Sequence, residues 1–447
     1  MDNGEITSNN ELHTNEENRK ELLYDSNNSK KNLNPKFKAQ RIIFILTIII
    51  LCTSIFWYIK NNNIVKSFSN SVYPNSYVLD KDISGLTKDS LHSTLESILD
   101  EALNTKIKVN IGEKTFETTY KDIDVSIPYD DLENEVLSYG KNQSFFSKLN
   151  LIKKPEKKSY EFKFSYNLEK INEFLTTISS NVNIDPINST INISNGNISI
   201  TEGADGYSLN SDELLNNLKT TMEDISPRDE LVLDSTLIIV DKSINKESLQ
   251  TVTNKVSTFT TNYPAGPSGY NLQIAANNID NTLLMPGESF SCEAAIGPTT
   301  PENGFVLANT YVSGQVVKNY GGGVCQVSST LYNTILNAGI IPSERLNHMM
   351  PVSYVPMGLD ATLADGVIDL KFKNDFDYPI VINSVAGNGT LTIEIWSNPS
   401  VLQGLTYQAE SIQRNSLSAD AYLYSYDSDG NMVSETFLDT STYQPLP

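Results

Sequence analysis

Residues 1–29 are rich in Asn, Glu and Ser, hold few apolar positions, and are expected to be disordered. An uncharged run, Ile42 to Ile59, follows a basic cluster of Lys30, Lys31, Lys36, Lys38 and Arg41. Its eighteen residues reach the lower limit for crossing a bilayer as a helix. Trp57 and Tyr58 mark the far interface, and the basic side indicates a cytoplasmic N-terminus. A cleaved signal peptide is the alternative. The polar leader of about forty residues, the length of the run and the lack of a small-residue cleavage motif favour an uncleaved single-pass anchor with the rest outside.

Beyond a polar linker, residues 60–76, one device repeats: an apolar residue, an acid three on, and apolar residues five and nine on. It occurs at Leu86/Asp89/Leu91/Leu95, Ile127/Asp130/Leu132/Val136, Tyr166/Glu169/Ile171/Leu175 and Leu209/Asp212/Leu214/Leu218. Each predicts a helix start, with an acid at the positive end of the dipole and apolar residues on one face. Alternating segments such as Ile107 to Ile111 and Ile191 to Asn195 predict strands. Any capped amphipathic helix gives this spacing, so duplication is suggested only. Two small α+β lobes, 77–159 and 160–246, fit best.

From about residue 250 glycine, proline and turn signals become frequent. One clear helix, at about 324–338, sits among short strands: Asp369 to Lys373, Pro379 to Asn383 and Thr390 to Trp396. Ala421 to Asp427 and Met432 to Phe437 flank an Asp429-Gly430 turn and predict a hairpin. The fold class is α+β: a cytoplasmic tail (1–41), a transmembrane helix (42–59), a linker, the two lobes, a mixed domain (247–399) and a C-terminal β-hairpin extension (400–447).

Charge sharpens this division. Residues 1–41 hold seven basic and seven acidic side chains, so the net charge of −21 lies wholly beyond them. An acidic ectodomain argues against nucleic acid as a partner. Lys141, Lys148, Lys153, Lys154, Lys157 and Lys158 form a basic patch between the lobes, read as a solvated linker or a contact for wall phosphates or lipid headgroups.

Of three cysteines, Cys52 lies in the apolar run, leaving Cys292 and Cys325 outside. Cys325 follows Gly321, Gly322 and Gly323 and opens the predicted helix, where unpaired amides and the dipole favour a thiolate. Among three histidines only His348 lies near, 23 residues on, as the candidate base, with Asp360 as the nearest candidate orienter. Gln326 and the amides from Gly323 to Gln326 are candidates for an oxyanion site; Ser328, Ser329 and Tyr332 are candidates for a substrate groove. The serines and tyrosine could equally satisfy local backbone groups. A disulfide between Cys292 and Cys325 is the competing expectation. No metal-ligand spacing is present, and no metal or organic cofactor is expected.

The run Gly321-Gly-Gly-Val-Cys-Gln-Val-Ser-Ser-Thr-Leu-Tyr-Asn333 resembles the VanW family. So do Pro286-Gly-Glu-Ser-Phe-Ser291, Ile296-Gly-Pro298, Glu344-Arg345, His348, Tyr354-Val-Pro-Met-Gly358, Asp360-Ala-Thr362 and Lys371-Phe-Lys-Asn374, over roughly residues 252–399. Cys292 and Thr299 depart from the pattern, which usually has Phe or a similar residue and Arg there. Ile83 to Leu91 and Ile200 to Leu209 resemble the peptidoglycan-binding domain that precedes some wall transpeptidase domains. The resemblance implies a cysteine-dependent L,D-transpeptidase with Cys325 as nucleophile and His348 as base, Asp360 following less directly. It would act on peptidoglycan stem peptides, with the lobes holding glycan and residues 42–59 in the cell membrane. No protein partner is indicated. A non-catalytic peptidoglycan or glycopeptide binding module and an L,D-carboxypeptidase are the alternatives.

Overall fold

The computed structural model describes residues 35–161, 164–222, 230–312, 315–364 and 366–445. The expectation for residues 1–29 lies outside them. Ten helices occur among the described residues, beginning with α1 (Pro35–Ser67). It is the one described helix long and apolar enough to cross a membrane. It also runs on through residues 60–67, where a polar linker was expected. Asn61 turns its side-chain amide back onto the Trp57 carbonyl at 2.6 Å, so this polar donor finds its partner within the helix.

The four repeated helix starts are all present: α2 (Lys88–Leu103), α3 (Tyr129–Ser138), then, after α4 (Phe145–Lys153), α5 (Leu168–Val182) and α6 (Ser211–Met222). Helix α2 starts cleanly because the Thr87 amide donates to Ser90 Oγ at 2.8 Å. Leu91, Leu95 and Leu99 of α2 pack with Leu132 and Val136 of α3 in one buried cluster. A strand at Ser76–Val78 pairs in parallel with Lys158–Tyr160, returning the chain to its starting edge.

The described residues form two compact units. The first takes those up to Asn110 with most of Thr115–Phe174 and Asn217–Leu233. The second takes Ile111–Lys114, Leu175–Asn216 and those from Asp234 on. In the second, an antiparallel sheet runs in the order Asn254–Asn262, Thr390–Ser397, Ile380–Gly387, Thr282–Leu284. After the short α7 (Lys246–Leu249) come α8 (Pro267–Ile279), the short α9 (Cys292–Ile296) and α10 (Cys325–Leu336). Val327, Leu331 and Ile335 of α10 share the main core with Leu272 and Ile279 of α8 and Ile393 and Ile395 of the sheet.

Helix α10 is covered on every side: each residue from Gln326 to Leu336 is buried. Its polar residues survive there because each is paired. Thr330 Oγ1 meets Thr261 Oγ1 at 2.8 Å, Ser257 Oγ donates to the Thr334 carbonyl at 2.8 Å, and Asn333 donates to the Leu359 carbonyl at 2.7 Å. A separate sheet of Thr406–Asn415, Ser418–Tyr426 and Met432–Thr442 holds the expected C-terminal hairpin and adds a third strand to it.

Asn271 of α8 is fully buried and pins two loops. Its Nδ2 donates to the carbonyls of Val306 (2.8 Å), Tyr320 (3.0 Å) and Gly322 (3.0 Å), and its Oδ1 accepts from the Val306 amide at 2.8 Å. Asn271→Ala leaves those groups buried and unpaired, and should cost about 2–3 kcal/mol of stability. Urea unfolding of the two chains measures it; a difference below about 0.5 kcal/mol, the range of an ordinary surface change, would show that the loops hold without the pin.

Candidate active site

The Gly-rich loop owes its glycines to crowding. Gly323 has φ +101°, and a Cβ there would stand 2.1 Å from the Ser268 carbonyl oxygen at the start of α8. A Cβ on Gly322 would stand 2.6 Å from the Asn309 carbonyl oxygen. Backbone contact on both sides lets the chain turn into α10 with Cys325 as its first residue. First-turn amides have no partner within their own helix, so Cys325 sits where negative charge is favoured.

The sulfur lies 3.4 Å from the Leu363 amide nitrogen, which donates to it, and 3.8 Å from Thr362 Oγ1. The His348 ring lines the same cavity as the sulfur and interacts with it electrostatically. The other side of that ring is held: His348 Nδ1 is 2.7 Å from Asp360 Oδ2, leaving Nε2 for the sulfur. Asp360 Oδ2 also accepts from the His348 backbone amide at 2.7 Å, so residue and ring are fixed by one oxygen. Asp360 Oδ1 accepts from the Tyr443 hydroxyl at 2.5 Å and from Arg345 Nη2 at 3.4 Å. The Tyr354 ring stands edge-on to the imidazole, centroids 6.4 Å apart.

The charges follow from these contacts. Burial pushes the Asp360 carboxyl up, but hydrogen bonds from His348 and Tyr443 outweigh it and the net shift is down. Burial alone would lower His348; bonding to Asp360 and Cys325 carries it up to about 9. Burial likewise opposes ionisation of Cys325, yet His348 and the Leu363 amide bring the thiol below its ordinary range. Both shifts act toward a thiolate beside an imidazolium, the reactive form of a cysteine.

Cys325 and His348 open onto a cavity of about 640 Å³, whose walls include Thr299, Asn319, Met349, Leu363 and Gln444. The structure thus brings Cys325, His348 and Asp360 together. It takes the expected groove residues elsewhere. Ser328 and Ser329 are fully buried and both donate to the Cys325 and Ala361 carbonyls, while Gln326 Nε2 donates to Thr261 Oγ1 and the Asn262 carbonyl, each at 2.9 Å. Tyr332 lies under the Arg345 guanidinium, 5.2 Å from its ring centroid. A helix buried all round has no open face for a groove. Gly323 contributes by its backbone turn, as described. Cys292 and Cys325 are both free: Cys292 is buried at the start of α9, where burial pushes its thiol well up.

Three contributors were not proposed as site residues from the sequence, although Arg345 was quoted there within the family pattern. Arg345 clamps the Asp360 loop, with Nε on the Asp360 carbonyl (2.7 Å) and Nη2 on the Gly358 carbonyl (3.0 Å). Its Nη1 reaches Asp439 and Ser441 of the last strand. Tyr443 arrives from just past that strand and also accepts from the Gly358 amide at 2.6 Å. Leu363 acts through its amide, which no side-chain pattern reveals. Asp360→Asn should move the midpoint of Cys325 alkylation by iodoacetamide up by about one pH unit or more, corresponding to about 1.4 kcal/mol of lost ion-pair stabilisation. An unchanged rate–pH profile would show that the carboxylate does not tune the thiol.

Two family descriptions match this chain: "VanW like protein" over residues 268–396 and "Putative peptidoglycan binding domain" over residues 116–229. Cys325, His348 and Asp360 fall inside the first range; Tyr443 and Asp439 lie beyond it. The chain is similar to "Uncharacterized protein YoaR" of Bacillus subtilis (strain 168), 30% identical over 233 residues, 52% of this chain and 75% of the relative. It is also similar to "Vancomycin B-type resistance protein VanW" of Enterococcus faecalis (strain ATCC 700802 / V583), 32% identical over 113 residues. That match covers 24% of this chain and 41% of the relative, less than half its length. No solved structure matches. With a thiol-bearing helix in the first matched range and three quarters of one relative covered, the chain belongs to the VanW family and carries a peptidoglycan-binding domain.

Proposed function

We propose that this protein is a membrane-anchored cell-wall enzyme that forms 3–3 peptidoglycan cross-links by L,D-transpeptidation through a Cys325 acyl-enzyme. The observation that carries the reading is the placement of Cys325 and His348 on one cavity, with the far side of the imidazole held by the buried Asp360 carboxylate. That arrangement supplies a nucleophile, a proton carrier and its orienter at the mouth of a cavity. The peptidoglycan-binding match supports the choice of substrate. The anchor reading is supported by α1 outlasting its apolar run and ending in contacts to the folded lobe: Lys141 Nζ donates to the carbonyls of Phe68 at 2.5 Å and Ser71 at 2.6 Å.

The Cys325 thiolate attacks the carbonyl carbon of the third stem residue. Stabilising the oxyanion that develops falls to the positive end of the α10 dipole. The bond to the terminal D-Ala breaks, and the His348 imidazolium gives its proton to the departing amine. The thioester then meets an amine of a neighbouring stem. Neutral His348 takes that amine's proton as the new amide forms, and the thiolate is restored.

The test is intact-mass spectrometry of the full chain in detergent with a disaccharide-tetrapeptide, beside Cys325→Ala. Wild type should give a thiol-labile acyl adduct and a dimer lighter by one D-Ala; Cys325→Ala should lose both, a drop of at least about 10³-fold. Acylation should rise as Cys325 ionises and fall as pH climbs through about 9, where His348 loses the proton needed by the leaving amine. Tripeptide without dimer would redirect the reading to a carboxypeptidase. Peptide binding without adduct or product would redirect it to a binding module.

A further inference from the structure

The basic segment between the lobes carries an apolar feature that the wall chemistry does not use. Helix α4 begins Phe145-Phe146, with Ser144 Oγ accepting from the Ser147 amide at 3.3 Å. Phe146 is 70% exposed, as much as any large apolar side chain near the end of the membrane-length helix. It lies against that helix rather than against a core. Its ring stacks on Trp57 with centroids 6.3 Å apart and planes at 26°, while Phe145 lies 5.1 Å from Tyr58 and 6.4 Å from Trp57. Trp57 and Tyr58 are themselves 45% and 52% exposed. Four aromatic rings therefore form one unburied cluster level with the last turn of the apolar run.

The level is fixed. Lys141, four residues before α4, clamps the end of α1 through the Phe68 and Ser71 carbonyls and lies over the Tyr73 ring at 3.7 Å. On the other side Leu149 is buried, so α4 cannot turn its phenylalanines inward without withdrawing that anchor. Lys148, Lys153 and Lys154 follow along α4, in a chain whose net charge is −21. Exposed aromatic rings beside clustered lysines, at the depth where an apolar helix leaves the hydrocarbon, match the chemistry of a headgroup layer.

We propose that α4 is a foot seated in the outer leaflet of the bilayer that α1 crosses, with Phe145 and Phe146 at the depth of Trp57 and Tyr58 and the lysines on anionic phospholipid headgroups. The occupant is the lipid surface itself. The proposal rests on the anchor reading of α1 and is independent of the reaction at Cys325. Its effect is to hold the first unit at a set height and tilt on the membrane instead of letting it swing on a single helix.

The full chain, reconstituted in phosphatidylglycerol-containing bilayers, carries the test. In one variant Trp396→Phe leaves Trp57 as sole tryptophan; in the other Trp57→Phe, Trp396→Phe and Phe146→Trp place the reporter on α4. Cys325 alkylation verifies that both are folded. Lipids brominated high on their acyl chains should quench position 146 at least half as strongly as position 57, with blue-shifted emission at both. Quenching at 57, with water-like, acrylamide-sensitive emission at 146, overturns the foot and keeps the anchor. No lipid quenching at either position overturns both. Replacing phosphatidylglycerol by a zwitterionic lipid should weaken quenching at 146 by about twofold or more and leave 57 unchanged.

Discussion

A carboxylate with no access to water has to be compensated by donors, and Asp360 sets the terms for everything around it. It is fully buried yet remains ionised because four donors converge on two oxygens: the His348 amide and ring, the Tyr443 hydroxyl and Arg345. Each donor comes from a different stretch of chain or a different bond type, so satisfying one side chain fixes the relative positions of the His348 segment, the 358–363 loop and the last strand. The loop in turn delivers Leu363 to the sulfur. Stripping a single partner from such a group typically costs about 3–5 kcal/mol, whereas a surface ion pair of the same length contributes under about 1 kcal/mol.

The same constraint explains how α10 can be polar and buried at once. Its serines, threonines and asparagine bond to the 359–361 loop and to the central sheet, so the helix is tied to the elements that position Asp360. Cys325 needs a rigid mount, because a hydrogen bond to sulfur weakens steeply with misalignment. The residues expected to meet a substrate serve instead as that mount.

Local signals were legible in the sequence and long-range ones were not. The four early helices announce themselves by an acid and an apolar spacing confined to a dozen residues. Cys325, His348 and Asp360 stood out because glycines, scarce histidines and a family pattern converge on them. Helix α8 was hidden: Gly269, Asn271, Asn277 and Asn278 dilute a stripe made partly of alanines, and its identity as a helix comes from burial. Tyr443 could not be found by pattern, since 83 residues separate it from the carboxylate it serves. The helical extension beyond Ile59 was obscured because its asparagines and lysines break the apolar pattern, while the Phe68 and Ser71 carbonyls just past its end are held by Lys141, far along the chain.

The last described strand and Tyr443 complete the hydrogen bonds around Asp360 after Cys325, His348 and Asp360 have been made. A ribosome delivers Cys325, His348 and Asp360 long before residue 443, and until then the Asp360 carboxylate lacks one of its donors and Arg345 lacks its partners at 439 and 441. The hydrogen bonds around Asp360 and Arg345 are therefore complete only once residue 443 has been made. Order of manufacture therefore matters: a chain stopped short of residue 439 would hold Cys325, His348 and Asp360 but lack Asp439, Ser441 and Tyr443, three of the groups that fix them in place.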